Sequence, residues 1–343
     1  MSAPEQIEFI EVMRALLDVD NPFPARFLPR LSDLEGAELE FLKETWPKIP
    51  LWRRRALIED IEEICKDDYL VTYESLGVFA AEDADSLVRL HAVRTLWEFE
   101  NKSLIPTLVR LLRDDPDVDV RAASASALGQ YVYLGELDEL PLDILQQIEV
   151  LLLDTTQGNE EEAIRRAALE SLGFSSRVEV SALIAAAFNS GEMGWKTSAL
   201  FAMGRSRNEI WKNQVQSMLD NSQPDLRLEA ARAAGELEIT EAVPVLLELL
   251  HDPGDAIRDA SIWSLSQIGG EGVRDRLEQL FNEAEDEREI DYLESALDNL
   301  VFTEGMQLMP LFDLSEYEDA EDYDPAAEDE SSYLDEDDEE LED

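Results

Sequence analysis

Reactive side chains are scarce in this chain. Among 343 residues there is one cysteine, Cys65, and there are two histidines, His91 and His251. A lone thiol forms neither an internal disulfide nor a zinc site, so nothing demands an oxidising compartment. Positive charge is scarce as well: 28 Lys and Arg stand against 79 Asp and Glu, a net of −51. Such a surface repels phosphate backbones and anionic headgroups, which argues against nucleic acid and membranes and in favour of a cationic partner. No run approaches the ~20 consecutive apolar residues that a bilayer-spanning helix needs. The start, with Glu5, Glu8 and Glu11 and no basic run before an apolar core, has the wrong charge order for a secretory signal. A soluble, cytoplasmic monomer is expected.

What the chain has is repetition. An apolar residue followed by a basic one opens a helical pattern at Val88-Arg89, Val120-Arg121, Ile164-Arg165, Trp195-Lys196, Leu226-Arg227 and Ile257-Arg258. Most copies close on Leu or Met plus Gly, as in Leu128-Gly129 and Leu172-Gly173. Counted from the basic residue, the position before it and those three, four and seven onward are mainly apolar or small, one buried stripe at 100° per residue. The position six onward is small nearly throughout (Thr95, Ala127, Ser171, Ala202, Ala233, Ser264), which predicts close approach between successive helices of this kind. Between these helices runs a second helical pattern, clearest from Leu104 to Leu112 and from Ala242 to Leu250. There Pro106 and Pro244 suit a first turn, where a missing N–H costs nothing. Each unit is therefore a helix pair, a first helix A and a second helix B. Asp85, Asp117, Glu161 and Asp255 stand ahead of B helices, where a carboxylate can cap free N–H groups.

The Val-Arg…Ala…Leu-Gly pattern resembles the HEAT family, and most closely its short-repeat branch first named from phycobilisome lyases, over about Phe23 to Leu300. The resemblance implies an all-α, right-handed α-solenoid in which each unit packs only on its neighbours. Trp52 to Ala56 reads as an earlier helix B, with Arg54 as the repeat arginine and its neighbours solvated. Its helix A is expected to start near Ser32, with Glu35 completing a capping box, and the Val88 unit draws its helix A from about Tyr69 to Phe79. The first helix, about Pro4 to Leu17, ends at Asn21-Pro22-Phe23-Pro24. The long interval from Arg121 to Arg165 predicts loop insertions at residues 131–141 and 155–162. The expected organisation is a helical cap over residues 1–31, the solenoid over 32–312 and an acidic tail over 313–343. That tail carries 18 acidic residues and no basic one, too little apolar surface to offset chain entropy, so it reads as disordered. Tyr317, Tyr323 and Tyr333 interrupt it and are candidate contacts to a basic client.

Catalytic chemistry finds no foothold. His91 and His251 read as structural, the latter as a cation at a helix end. Asp115, Asp117 and Asp119 imitate a calcium loop, yet its sixth position is Val120 where Gly is needed and its twelfth is Ser126. Gly269-Gly270-Glu271-Gly272 has no P-loop lysine. The HEAT-type deoxyhypusine hydroxylases hold iron through repeated His-Glu pairs, and no such pair occurs here. No metal and no cofactor is expected, and the chain reads as a non-enzymatic scaffold or adaptor, chaperone-like toward a basic or extended protein segment. The lyase branch implies an alternative, an accessory role in tetrapyrrole attachment. Helix B lines the concave side of stacks of this kind, and its position five beyond the basic residue points away from the buried stripe. Those positions hold Arg94, Ser126, Glu170, Phe201, Arg232 and Trp263, of which Arg94, Phe201, Arg232 and Trp263 are the candidate binding residues.

Overall fold

The computed structural model describes residues 7–65, 71–97 and 99–308; the tail residues Tyr317, Tyr323 and Tyr333 lie outside the described residues. Helix pairs follow one another throughout, and no strand occurs among the described residues. After α1 (Phe9–Leu17) the pairs are α2 (Gly36–Thr45) with α3 (Leu51–Cys65), α4 (Glu74–Ala80) with α5 (Ser86–Leu96), α6 (Ile105–Asp114) with α7 (Val118–Glu136) and α8 (Leu142–Gln157) with α9 (Glu162–Leu172). Then come α10 (Val178–Phe188) with α11 (Met193–Arg205), α12 (Lys212–Gln216) with α13 (Pro224–Glu236), α14 (Val243–Leu249) with α15 (Asp255–Ile268) and α16 (Val273–Glu283) with α17 (Glu287–Leu308). The odd-numbered helices from α3 onward are the B helices, and each packs on the next. Pro106 and Pro244 stand in the first turns of α6 and α14.

The repeat stripe is the core. In the unit of Arg121, Val120, Ser124, Ala125 and Leu128 are all buried, and the same four positions are buried around Arg89, Arg165, Arg227 and Arg258. Close approach of the B helices comes from pairing the repeat glycine of one with the small residue of the next. A Cβ on Gly129 would lie 2.8 Å from Ser171 Oγ, one on Gly173 2.9 Å from Ala202 Cα, one on Gly204 3.0 Å from Ala233 Cα and one on Gly235 2.5 Å from Ser264 Oγ. Where the small residue is serine it also bonds across the seam: Ser171 Oγ donates to Ala125 O at 2.9 Å and Ser264 Oγ to Ala231 O at 2.8 Å. A hydroxyl that would otherwise be stranded in the core is thereby satisfied.

A second device ties several units to the one after them. The guanidinium of Arg89 grips Asp115 in the next A–B turn with both arms, Nε–Oδ2 2.7 Å and Nη2–Oδ1 2.8 Å, and its Nη1 donates back to Asp83 O at 2.9 Å. Arg227 holds Asp252 through Nε alone, with Nε–Oδ2 2.8 Å, while its Nη1 donates back to Asn221 O at 2.8 Å, and Arg54 holds Asp83. Each carboxylate also accepts the N–H two residues on, from Asp85, Asp117 and Gly254, and so shapes its own turn. Asp115, the first residue of the stretch that imitates a calcium loop, is one of these clamps.

Several local expectations are corrected. Arg53 is not solvated: it is buried and donates to Asp18 O and Asn21 O, whereas Arg55 keeps its side chain 43% exposed and pairs with Asp85 at 2.6 Å. Helix α2 begins at Gly36 without a side-chain cap, because Ser32 Oγ is taken by the Asp33 carboxylate and by the Thr72 N–H. The extra residues of the long unit are only partly loop: 131–136 and 155–157 lengthen α7 to 19 residues and α8 to 16, and 137–141 and 158–161 connect the helices. The cause is apolar spacing that continues past the repeat's usual end, since Tyr131, Val132 and Leu134 are all buried. Asp85 and Asp117 cap their helices, whereas Glu161 makes no cap bond and Asp255 lies inside α15, paired with Arg258 at 2.6 Å. Arg276 Nη2 lies 3.0 Å from His251 Nε2, just beyond the end of α14.

Candidate functional site

The solvent face of the B helices carries two concavities. The first, of about 640 Å³, lies among α3, α5 and α7 and is lined by Glu62, Cys65, Val93, Arg94, Trp97, Asp119 and the small residues of α7 from Ala122 to Ala127. Trp97 is half exposed at its rim and Cys65 is buried at its floor. Glu62 receives the His91 Nδ1 at 2.6 Å and stands 3.9 Å from Arg94, so carboxylate, guanidinium and indole share one opening.

The second concavity, of about 380 Å³, lies among α13, α15 and α17. Arg232, Glu236, Asp259, Trp263, Gln267 and Tyr292 line it together with Ala256, Ala260 and Ser264. The Trp263 and Tyr292 rings face each other with centroids 6.4 Å apart, and the Tyr292 hydroxyl donates to Asp259 O at 2.8 Å. Burial beside Asp259 pushes the Tyr292 phenol up to about 12, so it remains a donor. Arg232 is held by Glu229 at 2.9 Å, while the other oxygen of that buried carboxylate, Oε2, finds no hydrogen bond among the described residues. Burial raises the carboxyls of Glu229, Glu236 and Asp259 above their ordinary range, against the pull of the nearby guanidiniums. They are carboxylates with less cationic compensation than ionisation asks for.

Between the two concavities the face is closed by stacked cations and rings. Arg205 lies over Phe174 at 4.6 Å and over Phe201 at 4.1 Å, and it donates to Glu170 O at 3.2 Å. Burial lowers the Arg205 guanidinium below its ordinary value, with Glu236, Glu170 and Glu229 opposing.

The residues singled out in sequence are thus distributed rather than continuous. Arg94 and Ser126 line the first concavity and Arg232 and Trp263 the second, while Phe201 is half-buried beneath Arg205 and lines neither. Sequence reasoning missed Trp97, Glu62, Asp119, Glu236, Asp259 and Tyr292. Two of these were within reach of the helical period: Trp97 follows Arg94 by three residues and Asp259 precedes Trp263 by four, so each pair shares a helix face. Among the described residues no group of His, Cys, Asp and Glu is arranged to hold a metal ion, and no helix is long and apolar enough to cross a membrane.

Residues 74–148 and 213–297 match the family model for HEAT repeats. Similar solved structures include the E. coli protein YibA, at 14% identity over 88% of this chain and 99% of that one, with a TM-score of 0.38. The complex of CpcE and CpcF of phycocyanin lyase from Nostoc sp. PCC7120 aligns at 17% identity over 68% of this chain and 96% of that one, with a TM-score of 0.45. Human deoxyhypusine hydroxylase aligns at 17% identity over 76% of this chain and 95% of that one, with a TM-score of 0.34. No curated protein matches the chain.

Proposed function

We propose that this chain, a HEAT-repeat solenoid, is a holding scaffold that takes an extended cationic protein segment along the solvent face of its B helices. One observation carries the reading: aromatic rings and carboxylates share that face, Trp97 with Glu62 and Asp119 at one end, and at the other Trp263 and Tyr292 with Glu236 and Asp259, whose carboxyls burial raises. Lys or Arg of a client would supply the missing charge, and its aliphatic stem would lie on the indole rings. Five B-to-B steps separate α5 from α15, about 40–50 Å at 8–10 Å per step. An extended segment of about 12–15 residues spans that distance. The acidic run over residues 313–343 acts as a second jaw, with Tyr317, Tyr323 and Tyr333 as its apolar contacts. Residues 1–312 hold 61 acidic against 28 basic residues, so the body on average repels that run and favours a cationic client between the two.

The test is anisotropy titration of a labelled 14-residue Lys-Leu peptide. Trp97→Ala and Trp263→Ala are each expected to weaken binding about tenfold, an effect of about 1.4 kcal/mol typical of an aromatic anchor. Deleting residues 313–343 is expected to weaken binding and to flatten its salt dependence. Wild-type affinity in both Trp variants would overturn the reading.

A pH dependence follows. Because Glu229, Glu236 and Asp259 have folded-state values raised above 4.5, 4.5 and 3.8, folding with these groups costs more once they ionise; their contribution favours the fold at low pH and is lost as pH rises through the raised values. A bound cation reverses that penalty. Peptide affinity should therefore climb as pH is raised from about 4 toward 7, and Glu236→Gln should reduce the climb. A flat profile would count against these carboxylates as the cation's partners.

A further inference from the structure

The arginine clamps break off in the middle of the stack. Arg89 and Arg227 meet Asp115 and Asp252 one unit on, and Arg121 meets Glu160 with Nη2–Oε2 at 2.6 Å. Arg165 occupies the same repeat position and has no ion pair among the described residues. Its Nε donates to Thr156 O at 3.0 Å, just as Arg121 Nε donates to Leu112 O at 2.8 Å, so both side chains run back over their own first helix. The difference lies in the following turn. Asn159-Glu160-Glu161 leads into α9, whereas Ser190-Gly191-Glu192 leads into α11. The counterpart of Glu160 is Gly191, and the counterpart of Asp83, Asp115 and Asp252 is Ser190. Both carboxylates that neutralise this arginine elsewhere are thus replaced by neutral residues.

Space opens as the charge disappears. The concavity beside Arg121, with Glu160 in its wall, holds about 180 Å³, and that beside Arg165 holds about 430 Å³. Its apolar wall is Leu169, Leu183, Ala187 and Trp195, and the guanidinium of Arg165 lies over the Trp195 ring at 5.1 Å. The nearby charges are Glu192, exposed at the rim, and Lys196, which lies over Phe188 at 5.4 Å.

We propose that this concavity binds a carboxylate joined to an apolar group, the carboxylate taking at Arg165 the place that Glu160 holds at Arg121 and the apolar part resting on Trp195, Leu169 and Leu183. A single guanidinium matches a single negative charge and grips it with two parallel N–H bonds. A dianionic phosphate is the poorer match, because it adds a second charge to a chain of net −51 without a second partner. More distant acids matter less, being screened beyond about 8 Å at physiological salt.

Calorimetric titration of the full chain tests this with three probes: 3-phenylpropionate, its neutral amide, and an acetylated, amidated Tyr-Leu-Asp-Glu peptide that copies residues 333–336. Binding of the acid, the peptide or both supports the site. The acid alone points to a small-molecule carboxylate, and the peptide points to a protein segment, this chain's own acidic run included. The amide is expected to bind at least tenfold more weakly than the acid. Arg165→Gln is expected to lose at least tenfold in affinity. Ser190→Asp, which rebuilds the aspartate turn of the other units, is expected to lose binding likewise while raising Tm. No binding of either carboxylate, equal binding of the amide, or undiminished binding to Arg165→Gln overturns the proposal.

Discussion

Replacing Arg89 with Met is expected to destabilise the stack by about 3–5 kcal/mol, the cost of stripping one partner from a buried ion pair. The side chains of Arg89 and Asp115 are only 10% and 3% exposed, so water does not take over when the guanidinium is removed. Three losses coincide. The Asp115 carboxylate keeps one backbone N–H, from Asp117, but loses both arms of the fork, and the carbonyls of Asp83 and Ala84 lose their donor. The clamp joins the turn of one unit to the turn of the next, so the damage is expected to cross the seam between α5 and α7. Urea unfolding followed by circular dichroism gives the total, and hydrogen exchange in residues 74–136 locates it. The double variant Arg89→Met/Asp115→Leu should recover much of the loss, because a buried pair replaced by apolar groups is often neutral. Arg165→Gln, with one carbonyl bond and no carboxylate to strand, should cost no more than about 1 kcal/mol. Equal losses for Arg89→Met and Arg165→Gln would mean that the clamp contributes nothing beyond an ordinary hydrogen bond.

A glycine-to-alanine change should have opposite signs at two places. In an exposed helix it gains about 0.8–1 kcal/mol from reduced unfolded-state entropy. Gly305 in α17 has nothing within 4 Å of where a Cβ would stand, so Gly305→Ala should raise Tm. Gly173 has ordinary right-handed backbone angles, with φ −50°, so freedom of conformation is not what it provides. Its role is absence of volume: a Cβ there would stand 2.9 Å from both Cα and O of Ala202, backbone atoms that cannot swing aside. Gly173→Ala is expected to destabilise by about 1–3 kcal/mol, the range for overpacking a tight contact, and to do so by separating α9 from α11. Gly235→Ala should act the same way two seams further on, where Ser264 Cα is 2.8 Å from the added atom. Two such seams lie far enough apart for their costs to add. A rise in Tm for Gly173→Ala would show that the stack relaxes freely and that the glycine-small pairing does not set its spacing.

The sequence spoke most clearly where one unit repeats another. Val120, Ser124, Ala125 and Leu128 announce a buried stripe by spacing alone, and Ser171 and Ala202 announce tight seams by size. Arg54 could be separated from Arg53 and Arg55 because its place in the repeat matched Arg89. The reading faltered where a residue departs from its copies. Arg53 and Arg55 looked like surplus charge, yet their partners, Asp18 and Asn21 in one case and Asp85 in the other, lie about 30 residues away in sequence. The inserted residues of the long unit carried helical spacing in Tyr131, Val132 and Leu134, but the expectation that a solenoid extrudes insertions as loops overrode it.

By itself the sequence determined the helix pairs, their order and the stripe each buries, because a solenoid unit packs on its immediate neighbours and its signals recur at a fixed interval. Only the tertiary structure decided the rest. It split the anticipated strip into two concavities, placed Phe201 under Arg205, brought Trp97 and Tyr292 to the rims and left Arg165 without a carboxylate. The physical reason is that a hollow is defined by three successive helices and by the side chains that fail to fill it. Spacing within one helix records which way a residue points, whereas the volume opposite it belongs to a different unit.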